Sequence, residues 1–338
     1  MMATVVLNRD SLSVKLESDH LVVRDHDGAA GKFLRRVPLV DVDRVTVVGR
    51  PAISFHVLAR LMDKRIPCSF LTRGGRWRGA MDGDCGFHAA RRKRQYARSD
   101  DLSFVLPLAR ETLVAKLKNC RRVLQRLAGS RRDSSVVEDC QALSCSAVSA
   151  ARSRSPDSLR GIEGVASARY FRSLAKFMPK AFPFQARTRR PPRDPANSLL
   201  SFVYTLLANT FCAELRAHGL DPSCGYLHVD KERSPSLALD LMEPFRPACA
   251  DLLVLNLMSH RRIASERHFE PPDEEGGVRL TAEGREIVFA AYDAVMERRS
   301  RPGAGEAAIS MRQAIEAQVC RYIGAVENGA PCEFYRLP

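Results

Sequence analysis

The sequence predicts an α+β chain, with a small antiparallel β domain over residues 1–85 followed by an all-α region over residues 86–338. Up to about residue 80 the apolar residues fall in short β-branched runs cut by Asp-Gly, Gly-Arg and Gly-Gly pairs, as in paired short strands. After Gly86 the apolar residues recur at helical spacing over much longer stretches. A charge run, RRKRQYARSDD, lies between the two regimes.

In chain order, the strand-length pieces are ATVVL, SLSVKLE, HLVVRD, FLRRVPLVDVDRVTVVG, PCSFLT and RWRGAM. One helix interrupts them at Ile53–Lys64, leading into a buried strand at Ile66–Leu71. Residues 106–128 and 134–152 read as two helices joined by the polar stretch AGSRRDSS. Ser155, Pro156 and Asp157 supply a cap, a first-turn proline and an acid suited to the helix dipole, so a helix is expected from there through Glu163 to Lys176. Residues 182–196, with ARTRRPPRDPA, lack periodicity and read as a mobile basic loop. An amphipathic helix at 197–218 should stop at Gly219, and CGYLHVD follows as a short extended piece. Ser234 and Pro235 open the next helix, which Pro244 and Pro247 should kink. Helices at 281–299 and 306–327 close the chain, and no repeat of 20–50 residues is present.

Composition narrows the function classes. With 338 residues and 45% hydrophobic content the chain can bury a real core. Fifty-three Lys plus Arg against 39 Asp plus Glu give a net charge of +14, which favours a polyanionic partner such as nucleic acid. An anionic membrane surface fits the same charge, but no run of about 18 apolar residues is present, so no membrane role is expected. The N-terminus MMATVVLNRDSLSVKLES does not read as a signal peptide, which points to the cytoplasm. Ten cysteines without a CxxC pair argue against a zinc knuckle and a disulfide scaffold, and read as reduced, mostly buried residues.

The chemistry concentrates around LALDLMEPF, where Asp240 and Glu243 lie three apart on one helix in apolar surroundings. Two acids there are costly unless a positive group binds between them. A divalent cation held by carboxylates and an imidazole is one answer; the other is that an acid pairs with Arg246 or caps a neighbouring helix. His228 stands ten residues of loop and first turn before that helix, close enough to fold back beside the acids, though a lone histidine is commonly structural. Glu163 sits between Gly161 and Gly164, which either admit close approach by another element or a ligand, or serve plain helix packing. Arg91–Arg98 and Arg187–Arg193 could neutralise phosphates or form a solvated surface. Tyr96, Tyr170 and Tyr204 could stack on bases or belong to the core.

Taken in order, VDVDRVTVVGRPAIS, RRKRQYA, LRGIEGVASARYF, DPANSLLSFVYTLL, GLDPSCGYLHVDKERSPSLALDLMEPFRP and GVRLTAEGR make the chain resemble the CRISPR-associated integrase-nuclease family nearly end to end. Only the ends of residues 259–280 carry the resemblance. It implies an N-terminal β-sandwich-like domain that dimerises and a C-terminal helical catalytic domain. The family's metal ligands fall on Glu163, His228 and Glu243, with Asp240 as a further catalytic acid; the implied metal is Mg2+ or Mn2+. The implied partners are double-stranded DNA and a small ferredoxin-like adaptation subunit, and the implied activity is insertion of short DNA fragments into a repeat array. Lys231 and Arg233, just after His228, are expected to hold a phosphate of the DNA. Two other functions fit the residues: a non-catalytic basic nucleic-acid scaffold with a structural acidic cluster, and a metal-dependent nuclease acting on RNA or branched DNA.

Overall fold

The computed structural model describes residues 3–26, 31–73, 77–81, 88–131, 134, 136–228, 234–301 and 307–337. Strands β1 (Ala3–Leu7), β2 (Leu12–Glu17), β3 (His20–Asp25), β4 (Lys32–Pro38), β5 (Val42–Val48) and β6 (Ala52–Ile53) precede helix α1 (Phe55–Asp63), and β7 (Cys68–Leu71) and β8 (Trp77–Met81) follow it. They form two four-stranded sheets, ordered β4-β3-β2-β6 and β1-β5-β7-β8. Val5, Leu7, Val14, Val45, Leu61 and Cys68 are among the residues that close a core between them.

Pairing is only partly antiparallel, which corrects the expectation. β2 with β3, β3 with β4, and β7 with β8 are antiparallel, as so few residues between consecutive strands dictate. β1 with β5, β5 with β7 and β2 with β6 are parallel. The reason lies in the connections. Helix α1 carries the chain from β5 back to the start of β7, and the β2–β4 meander separates β1 from β5, so neither pair is joined by a tight turn.

The rest of the chain is helical: α2 (Ala89–Ser99), α3 (Leu102–Arg131), α4 (Val137–Arg152), α5 (Pro156–Ala175), α6 (Pro195–Ala217), α7 (Ser236–Met242), α8 (Leu252–Ser259) and α9 (Ala282–Glu297). A small ribbon of β9 (Arg299–Ser300) and β10 (Ile309–Ser310) then leads into α10 (Met311–Asn328). Ser155 and Gly219 act as the sequence predicts, and Asp194, inside the stretch read as a loop, caps α6 as well. Ser155 Oγ accepts from Ser158 N–H at 3.2 Å, Asp194 Oδ1 accepts from Asn197 N–H at 2.8 Å, and Gly219 takes the left-handed conformation after α6 at φ +70°. The two prolines expected to kink one helix break it instead: a π turn at Pro247–Asp251 separates α7 from α8.

Helix α6 is, among the described residues, the one helix long and apolar enough to cross a membrane by length and composition, yet 83% of its most apolar window is buried in this fold. It forms the centre of a second core that also takes in Val48 and Leu71 of the β1-β5-β7-β8 sheet, so the helical region packs directly on that sheet. Residues 82–87, where the sequence places the domain boundary, lie outside the described residues.

The basic loop is tied down rather than mobile. Phe182 and Phe184 are buried, with Phe182 edge-on to Phe269 at 6.4 Å. Arg187 donates to Asn197 Oδ1 at 2.8 Å and to Ser201 Oγ at 2.9 Å, and burial pushes its guanidinium down to about 10. Val278 N–H reaches Pro192 O at 2.9 Å, which ties the loop to the 259–280 segment. The sequence pattern shows the prolines and arginines but not these distant partners. Replacing Arg187 with Ala should cost about 1–3 kcal/mol, as expected for breaking buried hydrogen bonds to a charged group. It should also open the Arg189–Arg190 bond to trypsin at a protease level that leaves the wild type intact there.

Candidate metal centre

The structure brings Glu163, His228, Asp240 and Glu243 together from three places in the chain. Glu163 projects from the middle of α5, His228 lies in the run of turns and bends after α6 where the sequence predicts an extended piece, and Asp240 and Glu243 come from the end of α7. One ligand atom from each of Glu163, His228 and Glu243 lies within 4.8 Å of the others.

Asp240 is fully buried, and its carboxylate is spent on this chain. Its Oδ2 accepts the N–H groups of Tyr226 and Leu227 at 2.6 and 2.8 Å, and its Oδ1 accepts His228 N–H at 3.0 Å. Oδ1 also lies 2.5 Å from His228 Nδ1. That contact sets the imidazole: Nδ1 carries the proton toward Asp240, and Nε2 keeps its lone pair, 3.9 Å from Glu163 Oε2. The close approach requires Gly225, where an added Cβ would stand 2.5 Å from Ser236 Cβ and 2.9 Å from Asp240 Oδ2.

The three-residue spacing of Asp240 and Glu243 therefore does not place one cation between them. Asp240 holds the backbone and the histidine, while Glu243 faces Glu163 and two cations. Lys116 of α3 lies 2.5 Å from Glu163 Oε1 and 2.8 Å from Glu243 Oε2, and Arg246 pairs with Glu243 Oε1. The pairing of an acid with Arg246, one of the two alternatives open in the sequence, is thus present alongside the metal-type cluster.

Electrostatics follow from this packing. Burial works to raise Glu243, but Arg246, Lys116 and His228 outweigh it and hold the carboxyl well below its usual range. Glu163 is also lowered: burial opposes, Lys116 prevails, and the like charge of Glu243 offsets part of the gain. Lys116 is raised despite burial because two carboxylates face it. For His228, burial disfavours the imidazolium, yet Asp240, Glu243 and Glu163 together raise it above the ordinary histidine value.

The donor set fits a divalent cation. Two carboxylates and one imidazole converge with Nε2 facing them, and buried Glu243 Oε2 accepts no well-directed hydrogen bond although Lys116 is near.

A further ring of residues supports the cluster. Asp251, buried in the π turn, accepts from the Tyr170 hydroxyl at 2.8 Å and the Tyr204 hydroxyl at 2.5 Å, and the Arg246 guanidinium lies 4.0 Å from the Tyr204 ring centroid. Tyr170 and Tyr204 are thus core residues and not open to bases. Tyr96 is exposed, with its hydroxyl 3.1 Å from Asp221. Arg91 is committed to Glu327 and the His218 carbonyl and Arg92 donates to the Gly219 carbonyl at 3.3 Å, whereas Lys93 and Arg94 are exposed. Asn119 donates to Pro244 O at 2.7 Å and accepts from Leu337 N–H at 2.9 Å, while Tyr335 stacks on Phe245 at 4.3 Å. Among the described residues outside their own turns of α5, nothing comes within 4 Å of a Cβ added at Gly161 or Gly164, so packing against those residues does not explain them. Lys231 and Arg233 lie outside the described residues.

Lys116 and Asn119 are absent from the residues picked out by sequence. A signal existed: Thr112, Lys116 and Asn119 fall at i, i+4 and i+7, one polar stripe set among buried apolar residues of α3, and all three are buried.

The family model for CRISPR associated protein Cas1 matches residues 5–294. A CRISPR-associated endonuclease Cas1 of Thermus thermophilus is 34% identical over 80% of this chain and 78% of its own length. A second, from Methanospirillum hungatei, is 31% identical over 96% of this chain and 88% of its own. Among solved structures, a Cas1 protein from Thermotoga maritima superposes with a TM-score of 0.79 at 26% identity, covering 97% of each chain. A chain of a Cas6-RT-Cas1–Cas2 complex gives 0.82 at 24% identity, this protein spanning 36% of it. A casposase bound to integration product gives 0.86 at 20% identity, over 100% of this chain and 94% of that one; these last two show the fold alone. With the match running from the first strand into α9, the chain belongs to the CRISPR associated protein Cas1 family.

Proposed function

We propose that this protein is a divalent-metal-dependent DNA endonuclease and strand transferase that inserts short DNA fragments into a CRISPR repeat array. The observation that carries the reading is the fixed His228 ring: Asp240 holds Nδ1, so Nε2 faces Glu163 and Glu243, the donor set of a catalytic cation. Glu163, His228 and Glu243 are the ligands, and Asp240 is a positioning residue that acts through His228. When bound there, Mg2+ or Mn2+ supplies Lewis acidity to a phosphodiester. Lys116 and Arg246 counter the carboxylate charge, and Lys116 is placed to take a phosphate oxygen once Glu163 and Glu243 turn to the cation. Cleavage and insertion are one displacement at phosphorus. A P–O bond forms from water or a DNA 3′-hydroxyl as another breaks, and the departing oxygen takes a proton.

DNA as the substrate is supported by the +14 net charge and by a cavity of about 640 Å3 lined by Arg50, Arg73, Arg78 and Arg279, in which Asp10 pairs with Arg73 and Asp273 with Arg279. A homodimer formed through the N-terminal region is supported by the exposed side chains of Phe33, Leu34, Val40 and Phe55 there, and by the edge position of β4. A small Cas2-type, ferredoxin-like subunit is the further partner, by analogy with the complex named above. The nine described cysteines form no disulfide, which suits a reducing cytoplasm.

Strand transfer of a short 3′-hydroxyl duplex into a supercoiled repeat-containing plasmid, with the partner subunit present, tests the proposal. Glu163→Gln, His228→Ala and Glu243→Gln should each abolish joined and nicked products in Mg2+ or Mn2+ while DNA binding persists. Full activity in all three would overturn it, and DNA binding by the wild type without turnover in either metal would favour the scaffold reading.

Two further outcomes follow from the site's electrostatics and the arginine cavity. Without metal, His228 should titrate above an ordinary histidine by NMR, and Asp240→Asn should lower that value and weaken metal binding about 10–100-fold. Because the proton on Nε2 competes with the metal, metal affinity should fall as pH drops through the raised His228 value. Arg50→Ala and Arg78→Ala should each weaken DNA binding and reduce the salt dependence by about one unit of slope.

A further inference from the structure

The second cluster of metal-type side chains lies away from Glu163, on the facing surfaces of α6 and α10. Helix α6 ends with Glu214 and His218, and α10 carries Glu316 and Cys320; each pair is spaced i, i+4 and so shares one helix face. One ligand atom from each of Glu214, His218 and Glu316 lies within 4.8 Å of the others. His218 Nδ1 is 3.2 Å from Glu214 Oε1 and 3.0 Å from the Glu214 carbonyl, while its Nε2 is 3.8 Å from Cys320 Sγ.

The geometry points to a zinc site closed by His218 Nε2, Cys320 Sγ and Glu316, with Glu214 orienting the imidazole through Nδ1; Cys320 Sγ stands outside the 4.8 Å group, so the exposed Cys320 and Glu316 side chains turn toward each other when the ion binds. Zinc bonds of about 2.0–2.1 Å to nitrogen and about 2.3 Å to sulfur put the N–S edge of a tetrahedron near ~3.6 Å, close to the separation seen here. Thiolate with imidazole selects zinc over magnesium, unlike the all-oxygen-plus-imidazole set at Glu163. A carboxylate behind the ligating histidine is the usual arrangement around such ions.

The surroundings are consistent with a cation at this place. Burial raises Glu214, His218 offsets part of that, and the like charge of Glu316 adds to it. Burial, Glu316 and Glu214 raise Cys320, with Arg91 opposing. Arg44 and Asp43 flank Glu214 from β5, and Arg91 of α2 holds the His218 carbonyl at 2.6 Å, fixing the end of α6. Glu316 and Cys320 are exposed, so an ion has an entry path.

The site would clip α10 to α6. Two residues beyond Cys320, Tyr322 stacks on Tyr226 at 6.1 Å, and the Tyr226 hydroxyl meets Thr112 at 2.8 Å. The clip therefore stiffens the wall behind the segment that ends in His228, without touching that residue.

Cobalt(II) titration of the full-length, reduced protein tests this, because a thiolate ligand gives a sulfur-to-cobalt charge-transfer band. The band should appear in the wild type and in His228→Ala, be bleached by added Zn2+, and vanish in Cys320→Ser and His218→Ala. Cys320→Ser should weaken zinc on the order of 100-fold and remove the rise in Tm that zinc gives the wild type; the exposed position of Cys320 leaves the fold undisturbed. Glu316→Gln is a second variant with the same expected direction. No band, or a band that survives Cys320→Ser, overturns the site. Zinc binding without such a band, lost in His228→Ala and kept in Cys320→Ser, would overturn the site and assign the ion to the Glu163 centre instead.

Discussion

Everything near the site depends on keeping two buried carboxylates charged inside an apolar helical core. Removing a charge from water is so costly that each acid must be matched by partners already in place. The protein solves this in two ways. Asp240 is held by three backbone N–H groups and a histidine, which requires the Gly225–His228 segment to lie directly on α7. Glu243 is held by charge, from Lys116 and Arg246, which requires α3 to pass beneath it. One solution builds the shape of the site, and the other leaves an acid whose neutralising charge can be exchanged for another cation.

The charge solution has its own support. Arg246 can face Glu243 only if its plane is fixed, and the Tyr204 ring beneath it does this while its hydroxyl is anchored to Asp251. The π turn that carries Asp251 follows from Pro247, which cannot continue the α-helical bonding of α7. A break in a helix therefore becomes the footing for an ion pair, and the same break turns α8 away so that Glu243 is left at the end of α7, facing α3 and α5.

Much of this was legible in the sequence because it is local. The helix start at Ser155, the stop at Gly219 and a disturbance at Pro247 depend on residues within one turn; the structure keeps the first two and turns the expected kink into a break. The assembly of Glu163, His228 and Glu243 was legible through resemblance more than through spacing, since spacing alone would have put a cation between Asp240 and Glu243. Non-local facts stayed hidden. Parallel pairing of β1 with β5 depends on how sheets assemble, and the anchoring of Arg187 depends on α6 arriving beside it. Lys116 was hidden for another reason: a lysine in a helix reads as surface by default, and only its alignment with Thr112 and Asn119 marks it as buried.

The contacts of Asn119 with residues 335–337, and of Tyr335 with Phe245, bear on how the protein is made. Asn119 ties α3 and the carbonyl of Pro244 to the last stretch of the chain. Residues 335–337 leave the ribosome well after α7, so the turn holding Glu243 gains its full support later than the helix that carries it. A DNA-cutting protein arranged in this way is incompletely braced for as long as that stretch is still to be made.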